Sequence, residues 1–475
     1  MAEETPSEAG QVEKIQNQIN QALKELDQIR NKQQPITTPA ELQAAERAII
    51  KATDKIASLM TGLKIQQAVD SDDLNEKADQ LVRSMPGKLK NQGKRLVSIQ
   101  TSRGKAVKVA APYFSRKKNK KKKKISSSGN SSYPGLLLLG VYDRCTPSMS
   151  SEISMLAAML SSFEETSRVF NDKGVNLGIN TIRRIAQRYA DRAKIAQRIE
   201  QYPFAESLGQ RRVVVSTDGG RIRIRKNKRG PRTKKGRRRY TTHWREPKLL
   251  MIYTVDEHGK MDRNFMPVIE GTLKGPDAVF GLLGYHLRQL NIGTADKILF
   301  VADGARWIWK RVFELIKALG LPRSNVYELV DFYHAVEHLA KVAEFKKNWT
   351  RSEKKRWVKK HRRLLLKGHA DKVISAIKLM CRGRNSKGIS AERNYFVRNQ
   401  ARMCYQEICD HRLPIGSGAM ESGIRRVVNL RMKGACLYWL EKTAEAMLML
   451  RSYYKAGRWN LLEKLSFSLA FLANE

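Results

Sequence analysis

The chain has 475 residues, 41% of them hydrophobic, which is enough for a sizeable core and for two to four domains. Lysine and arginine number 90 against 46 acidic residues, a formal net charge of +44 that points to a polyanionic partner, DNA or RNA before others. An acidic, polar start, no apolar run approaching the ~20 residues of a membrane span and five scattered cysteines argue against a secreted, membrane-inserted or disulfide-stapled protein and for a cytoplasmic one.

Residues 1–94 read as a helical region. Ile15, Ile19, Leu23 and Leu26 form one apolar stripe at helical spacing, Pro35 and Pro39 interrupt it, and Leu42, Ile49, Ile56, Leu59 and Leu63 form a second, so a helical hairpin is expected. Residues 95–147 begin with alternating residues around Ser102–Lys105, which predict a β-hairpin. A basic linker follows at 115–132, with eight lysines and arginines and a Ser/Gly tail. Residues 148–195 predict three helices with a turn at Gly174–Asn176 and a third helix N-capped by Asn180. Ile182, Ile185 and Tyr189 face inward on that helix, and Arg183, Arg184 and Arg188 face outward. A helix-turn-helix DNA reader has this pattern, and so does an ordinary three-helix subdomain.

From 205 to 349 the periodicity turns α/β. Strands are expected at Val213–Val215, Arg221–Arg225, Leu249–Val255, Ile298–Val301 and Val326–Val330. Helices are expected from Pro276, after Asp303 and from His334, giving a mixed sheet with helices on its faces. Residues 350–412 continue as helices, and between 341 and 370 there are 12 basic residues against two acidic ones. Residues 413–475 open with PIGSGAMESGIRR at the start of a further helix, so a helical block interrupts the α/β domain before its last helices.

Three acidic residues sit where such a fold builds a site. Asp218 and Asp303 follow apolar strands, in STDGG and FVADGA, and Glu421 lies in the first turn of a helix whose N-cap is expected to be Ser417. Three carboxylates around one point call for a cation. Hard oxygen ligands select Mg²⁺ or Mn²⁺, and two such ions suit in-line phosphoryl displacement. Singly, each has a plainer reading: a turn aspartate twice over, and Glu421 paired with Arg425 one helical turn on.

These pieces resemble the DDE transposases of bacterial insertion sequences, the ISKra type, which are related to the Mutator-like transposases of eukaryotes. The likeness spans about residues 85–460. STDGGR, VADGA, DFYHAVEHL and PIGSGAMES carry it, and RVVNLRMKGACLYW and AEAMLMLRSYYKAGRW extend it. It implies an α/β fold: an RNase H-like catalytic domain with a mixed sheet and an all-helical insertion, preceded by helical and helix-turn-helix regions. Asp218, Asp303 and Glu421 would then be the catalytic residues and the ligands of two Mg²⁺ or Mn²⁺ ions. Asp331 and His334 match a DxxH element and would support the ligands or contact DNA. Trp439 is a base-stacking candidate, although a core position is commoner for such a tryptophan.

The implied reaction is hydrolysis of a phosphodiester at each element end, then attack of the freed 3′-hydroxyl on target DNA. Its partners would be double-stranded DNA, both terminal repeats and target, and a second copy of the chain or a higher assembly, since two ends are cut together. The protein would be cytoplasmic and nucleoid-associated. The expected DNA-facing cations are Arg183, Arg184, Arg188, Arg221, Arg223, Arg225, Lys226, Lys228, Arg229, Arg425, Arg426 and Arg431. Segment 211–250 alone carries 16 lysines and arginines against two acids.

Competing readings remain. His334, Glu337 and His338 spell HxxEH, the inverted zinc-peptidase motif, for which Glu421 could serve as the distant third ligand. Against a peptidase stand the charge and the unexplained Asp218 and Asp303. Cys404, Cys409 and His411 suggest a zinc knuckle, but the two cysteines would lie about 140° apart on a helix. A transposase-derived DNA-binding protein that no longer cuts, and a repair nuclease of the RNase H-like class, complete the alternatives.

Overall fold

The computed structural model describes residues 8–32, 35–85, 89–116, 131–199, 206–234, 236–383 and 386–469. Most of the expected basic linker, 117–130, lies outside them. The described residues form two compact units, one made of those up to 199 together with 460–469, the other of 206–459. No helix among them is long and apolar enough to cross a membrane.

In the first unit, α1 (Glu8–Arg30) packs on α2 (Pro39–Asp70), and α3 (Asp72–Ser84) follows. α2 starts sharply because Thr38 and Glu41 form a capping box with Pro39 in the first turn. Next come the antiparallel pair β1 (Lys90–Ile99) and β2 (Val107–Ser115), with Ile99 opposite Val107, and the two-residue β3 (Ser131–Ser132). Of the first stripe Ile15 and Ile19 are buried, Leu26 is half-buried and Leu23 is exposed; of the second, Ile56, Leu59 and Leu63 are half-buried, with Leu59 packed on the core, so that stripe only borders the buried face of α2. Leu42 and Ile49 are exposed, and the helix buries Ala52, Ser58, Gly62, Gln66 and Val69. Small and polar residues serve here because α2 lies against β2. Ser58 binds Thr101 and the Lys105 carbonyl, while Gln66 accepts from the Ala110 amide (2.8 Å) and donates to the Ala110 carbonyl (3.0 Å).

After α4 (Pro134–Leu138) come α5 (Pro147–Met159), α6 (Phe163–Asp172) and α7 (Ile179–Ile199), with α7 packed on the other two. Asn180 lies inside the first turn of α7 rather than capping it, and its side chain accepts from Arg183.

The second unit is built on a five-stranded mixed sheet of β4 (Arg212–Gly219), β7 (Lys248–Val255), β8 (Val268–Thr272), β9 (Lys297–Ala302) and β10 (Val326–Val330), in the order β10-β9-β4-β7-β8. β4, β7 and β8 are antiparallel neighbours; β9 and β10 extend the other side of β4 in parallel. Between β4 and β7 the chain leaves the sheet as a separate two-stranded ribbon, β5 (Ile222–Asn227) with β6 (Tyr240–Arg245). The Arg221–Arg225 alternation is therefore a strand, but not one of the central sheet. The sheet's missing member is β8, a five-residue run whose Glu270 disguises it. Glu270 is buried and lies 2.5 Å from His286.

Helix α8 (Pro276–Gln289) lies between β8 and β9, and α9 (Arg306–Ala318) between β9 and β10. From β10 onward every regular element is helical: α10 (Phe332–Glu344), α11 (Arg351–Leu366), α12 (Ala370–Met380), α13 (Lys387–Asn399) and α14 (Tyr405–Asp410). Then α15 (Gly418–Ile424) returns to pack on β4 and β7, and runs through a π-helical turn, Arg425–Asn429, into α16 (Leu430–Met432). Buried Arg451 of α17 (Glu441–Lys455) donates to the Arg426 and Val427 carbonyls, supplying partners where the i+4 ladder is broken. α18 (Trp459–Phe467) ends the described chain; from Asn460 its residues belong to the first unit.

Replacing Gln66 with Leu keeps the shape but strands two buried backbone groups of Ala110. Urea unfolding of the full chain should show a loss of about 2–6 kcal/mol, from two unpaired groups at roughly 1–3 kcal/mol each. An unchanged midpoint would mean that water replaces the amide.

Candidate active site

Parallel pairing sets the geometry of one end of the sheet. Val215 of β4 stands opposite Phe300 of β9, and three residues further along each strand come Asp218 and Asp303. Ala302 stands opposite Val330 of β10, so Asp331 comes next to Asp303. Three aspartates thus occupy one row across three neighbouring strand ends, where adjacent strands are about 4.8 Å apart. Glu421 reaches the same region from α15. The ligand atoms of Asp331, His334 and Glu421 lie within 4.8 Å of one another, and these three form a group that could hold a metal ion. Among the described residues this is the only such group of three, so Asp218 and Asp303 adjoin it rather than forming an equally tight cluster with Glu421.

The members differ in what they have to give. Asp331 is completely buried. Its Oδ1 accepts from the amides of Tyr333 and His334, capping α10, and its Oδ2 accepts from the amide and hydroxyl of Ser417 (2.5 and 2.6 Å). With both oxygens doubly bonded, its acceptor capacity is used up. Ser417 is the N-cap residue of α15, as expected, but its hydroxyl goes to Asp331 and makes no side-chain cap to the helix. Asp331 therefore ties the loop that carries Glu421 to the end of β10. Gly416 is needed at this junction, since a methyl there would meet the Tyr333 ring at 2.7 Å.

By contrast, Asp218 and Asp303 each bind one neighbouring amide through Oδ1, and Oδ2 of each has no hydrogen-bond partner among the described residues. The plainer reading of Glu421 finds no support, because it makes no ion pair with Arg425 or any other described residue.

The electrostatics follow from this crowding. Burial, with a smaller effect of the Asp303 charge, pushes the Asp218 carboxyl up to about 6. Burial also works against the Asp331 carboxylate, but the His334 imidazolium and the bonds from Ser417 and the backbone outweigh it and hold the group below the usual range. Asp331 in turn raises His334 to about 9 against the effect of burial, with help from Glu337 and Asp303. His334 Nδ1 lies 3.6 Å from Asp331 Oδ1, too far for a hydrogen bond, so the attraction is ionic. That buried nitrogen has no hydrogen-bond partner among the described residues.

The helical block supports the row from above. Tyr395 of α13 packs so closely on Gly304, next to Asp303, that a methyl there would meet its ring at 2.3 Å. Tyr395 also stacks on His338, whose Nδ1 pairs with Glu392 at 2.5 Å. The two histidines of HxxEH thus diverge: His334 joins the carboxylates and His338 joins α13. Cys404, Cys409 and His411 form no ligand group, and His411 is engaged with Tyr327.

Several expected DNA-facing residues lie elsewhere. Trp439 is buried, its indole donating to the Met432 carbonyl and its backbone pairing with β5. Arg431 is buried against the Trp439 ring, 5.1 Å away, so neither presents a surface to DNA. Arg425 is exposed and Arg426 half-buried. In the first unit, Arg184 and Arg188 share the carboxylate of Asp143. On the ribbon Arg221, Lys226, Lys228 and Arg229 are exposed, with Arg223 and Arg225 half-buried. No family model matches the chain, and no curated protein matches it in sequence.

Because the Asp218 pKa is raised, its ionised form costs stability as pH rises from about 4 to 6 and the full cost persists above. In EDTA at pH 7.5, Asp218→Asn should therefore resist urea better than the wild type by on the order of 1–3 kcal/mol. The advantage should vanish near pH 4, and its absence at pH 7.5 would remove the crowding argument. Ser417→Ala should cost about 2 kcal/mol by the same measurement, as loss of a hydrogen bond to a charged group.

Proposed function

We propose that the chain is a DNA transposase of the DDE type, which cleaves phosphodiesters at the ends of its element and joins the freed 3′-hydroxyls to target DNA. The observation that carries this reading is the row of Asp218 and Asp303 at neighbouring strand ends, with Glu421 brought back beside it after an all-helical block. The sheet order β8-β7-β4-β9-β10, three antiparallel strands followed by two parallel ones, suits an RNase H-like catalytic domain. The sequence likeness to insertion-sequence transposases supports the same conclusion.

In this reading Asp218, Asp303 and Glu421 hold divalent ions, Mg²⁺ or Mn²⁺, with His334 close enough to adjoin them. Bound there, such ions supply charge neutralisation at the phosphate and an activated oxygen nucleophile. The chain's own residues do the rest. Asp331 fixes the loop that presents Glu421, His334 offsets the carboxylate charge, and the arginine-rich ribbon grips phosphates. Double-stranded DNA is the substrate, and a second copy of the chain completes a complex that handles two ends.

The test is cleavage of DNA carrying the sequences that flank the gene, run with Mg²⁺, with EDTA and with Asp218→Asn. Nicking at the element ends that needs the metal and is lost in the variant is expected. Binding without cutting would instead indicate a DNA-binding protein descended from a transposase. With about eight phosphates neutralised, log K should fall with log salt at a slope of roughly −7.

A further inference from the structure

The ribbon has two unlike faces. Ile222 and Ile224 are buried, and β5 is locked by backbone bonds to Trp439 (Trp439 amide to Arg223 carbonyl 2.9 Å, Arg225 amide to Trp439 carbonyl 2.8 Å). Alternation then turns Arg221, Arg223 and Arg225 to the other face. Arg223 lies opposite Trp244, Arg225 opposite Thr242, and Asn227 opposite Tyr240. Trp244 and Tyr240 are 45% and 42% exposed, much for residues this large and apolar. Guanidinium groups stand beside them: Arg223 and Arg221 at 4.9 and 5.1 Å from the Trp244 ring, Arg225 at 5.8 Å from Tyr240. Tyr438, 5.8 Å from Tyr240, widens the platform. From 221 to 245 the sequence holds 13 lysines and arginines and no acid.

We infer that this face binds single-stranded DNA, with Trp244 stacking on an unpaired base and the flanking arginines holding its phosphates. This deepens the proposed function and rests on it: the strand would be the frayed or freshly cut end next to the carboxylate row. Charge alone would serve duplex and single strand alike. The exposed rings decide between them, because bases inside a duplex already have both faces covered by their neighbours, whereas an unpaired base offers a free face to an aromatic ring. Arginine beside the ring adds a cation to the same sandwich. The anchored isoleucine face keeps the platform in place while the basic residues between the two strands reach along the backbone.

The experiment measures binding of labelled single-stranded and duplex oligonucleotides of equal length to the full-length protein by fluorescence anisotropy. Trp244→Ala should weaken single-strand binding about tenfold, in line with the stacking contribution of one base, and change duplex binding less than twofold. Trp244→Phe, which keeps a ring, should restore most of the affinity, and the salt slope of Trp244→Ala should match that of the wild type because no phosphate contact is lost. Unchanged single-strand affinity in Trp244→Ala, or equal losses on both DNAs, would overturn the stacking role while leaving cleavage to be judged by its own assay. A wild-type protein that binds neither DNA would overturn this inference and the transposase reading together.

Discussion

Like charges at the ends of neighbouring parallel strands repel, and the second unit is arranged around that fact. Aspartates on three adjacent strands cannot spread apart, because the hydrogen-bond ladder sets their separation. The fold treats each differently. Asp331 is given four hydrogen bonds and becomes a fixed anion. Asp218 is left largely desolvated with an uncommitted oxygen, and Asp331 holds the charged form of His334 beside it. Much of the surrounding packing serves this arrangement: the Tyr395 ring against Gly304, the Tyr333 ring against Gly416, and α15 laid on β4 and β7.

The parts of the molecule that rest on long apolar runs were legible in the sequence. Val213–Val215, Leu249–Val255 and Ile298–Val301 are fully buried strands because nothing but an interior could accept them. Legibility failed where polar groups do interior work. Glu270 hid β8, since a buried carboxylate is acceptable only with His286 beside it. Gln66 and Ser58 hid the true inner face of α2, because they satisfy backbone groups that no apolar residue could. Ser417 reads as a helix cap until Asp331 is seen to claim its hydroxyl. Asp331 itself drew notice only through the resemblance, and its role as an anchor depends on a partner 86 residues away. The three acidic positions were found from their places after strands and in a first helical turn, whereas His334 belongs to them only through the return of α15. Trp439 is in the core, the commoner expectation for it, whereas Arg431, expected to face DNA, turns inward against its ring, and no spacing rule separates that arginine from its exposed neighbour Arg425.

The path of the chain also links two tasks. β4 ends at Gly219, and the ribbon begins at Ile222 before β7 carries the chain back into the sheet. The basic arm and Asp218, one member of the carboxylate row, therefore share one strand, with only Gly220 and Arg221 between β4 and the arm. Any strand held on the outer face of the arm is held at the end of the sheet where the aspartates stand, so grip and geometry need no separate hinge to be coordinated.

The closing residues of the first unit have a different consequence. Ser466 donates to the Tyr189 carbonyl and Glu463 accepts from Ser151, so α7 and α5 find partners 277 and 312 residues further along the chain. At about 5–20 residues per second, roughly 14–55 s separate the synthesis of α7 from that of its final partner. During that interval the second unit can fold while α5 and α7 still lack a neighbour. A chain cut short before α18 would thus lose partners of α5 and α7 in the first unit, although the whole of the second unit lies between them in sequence.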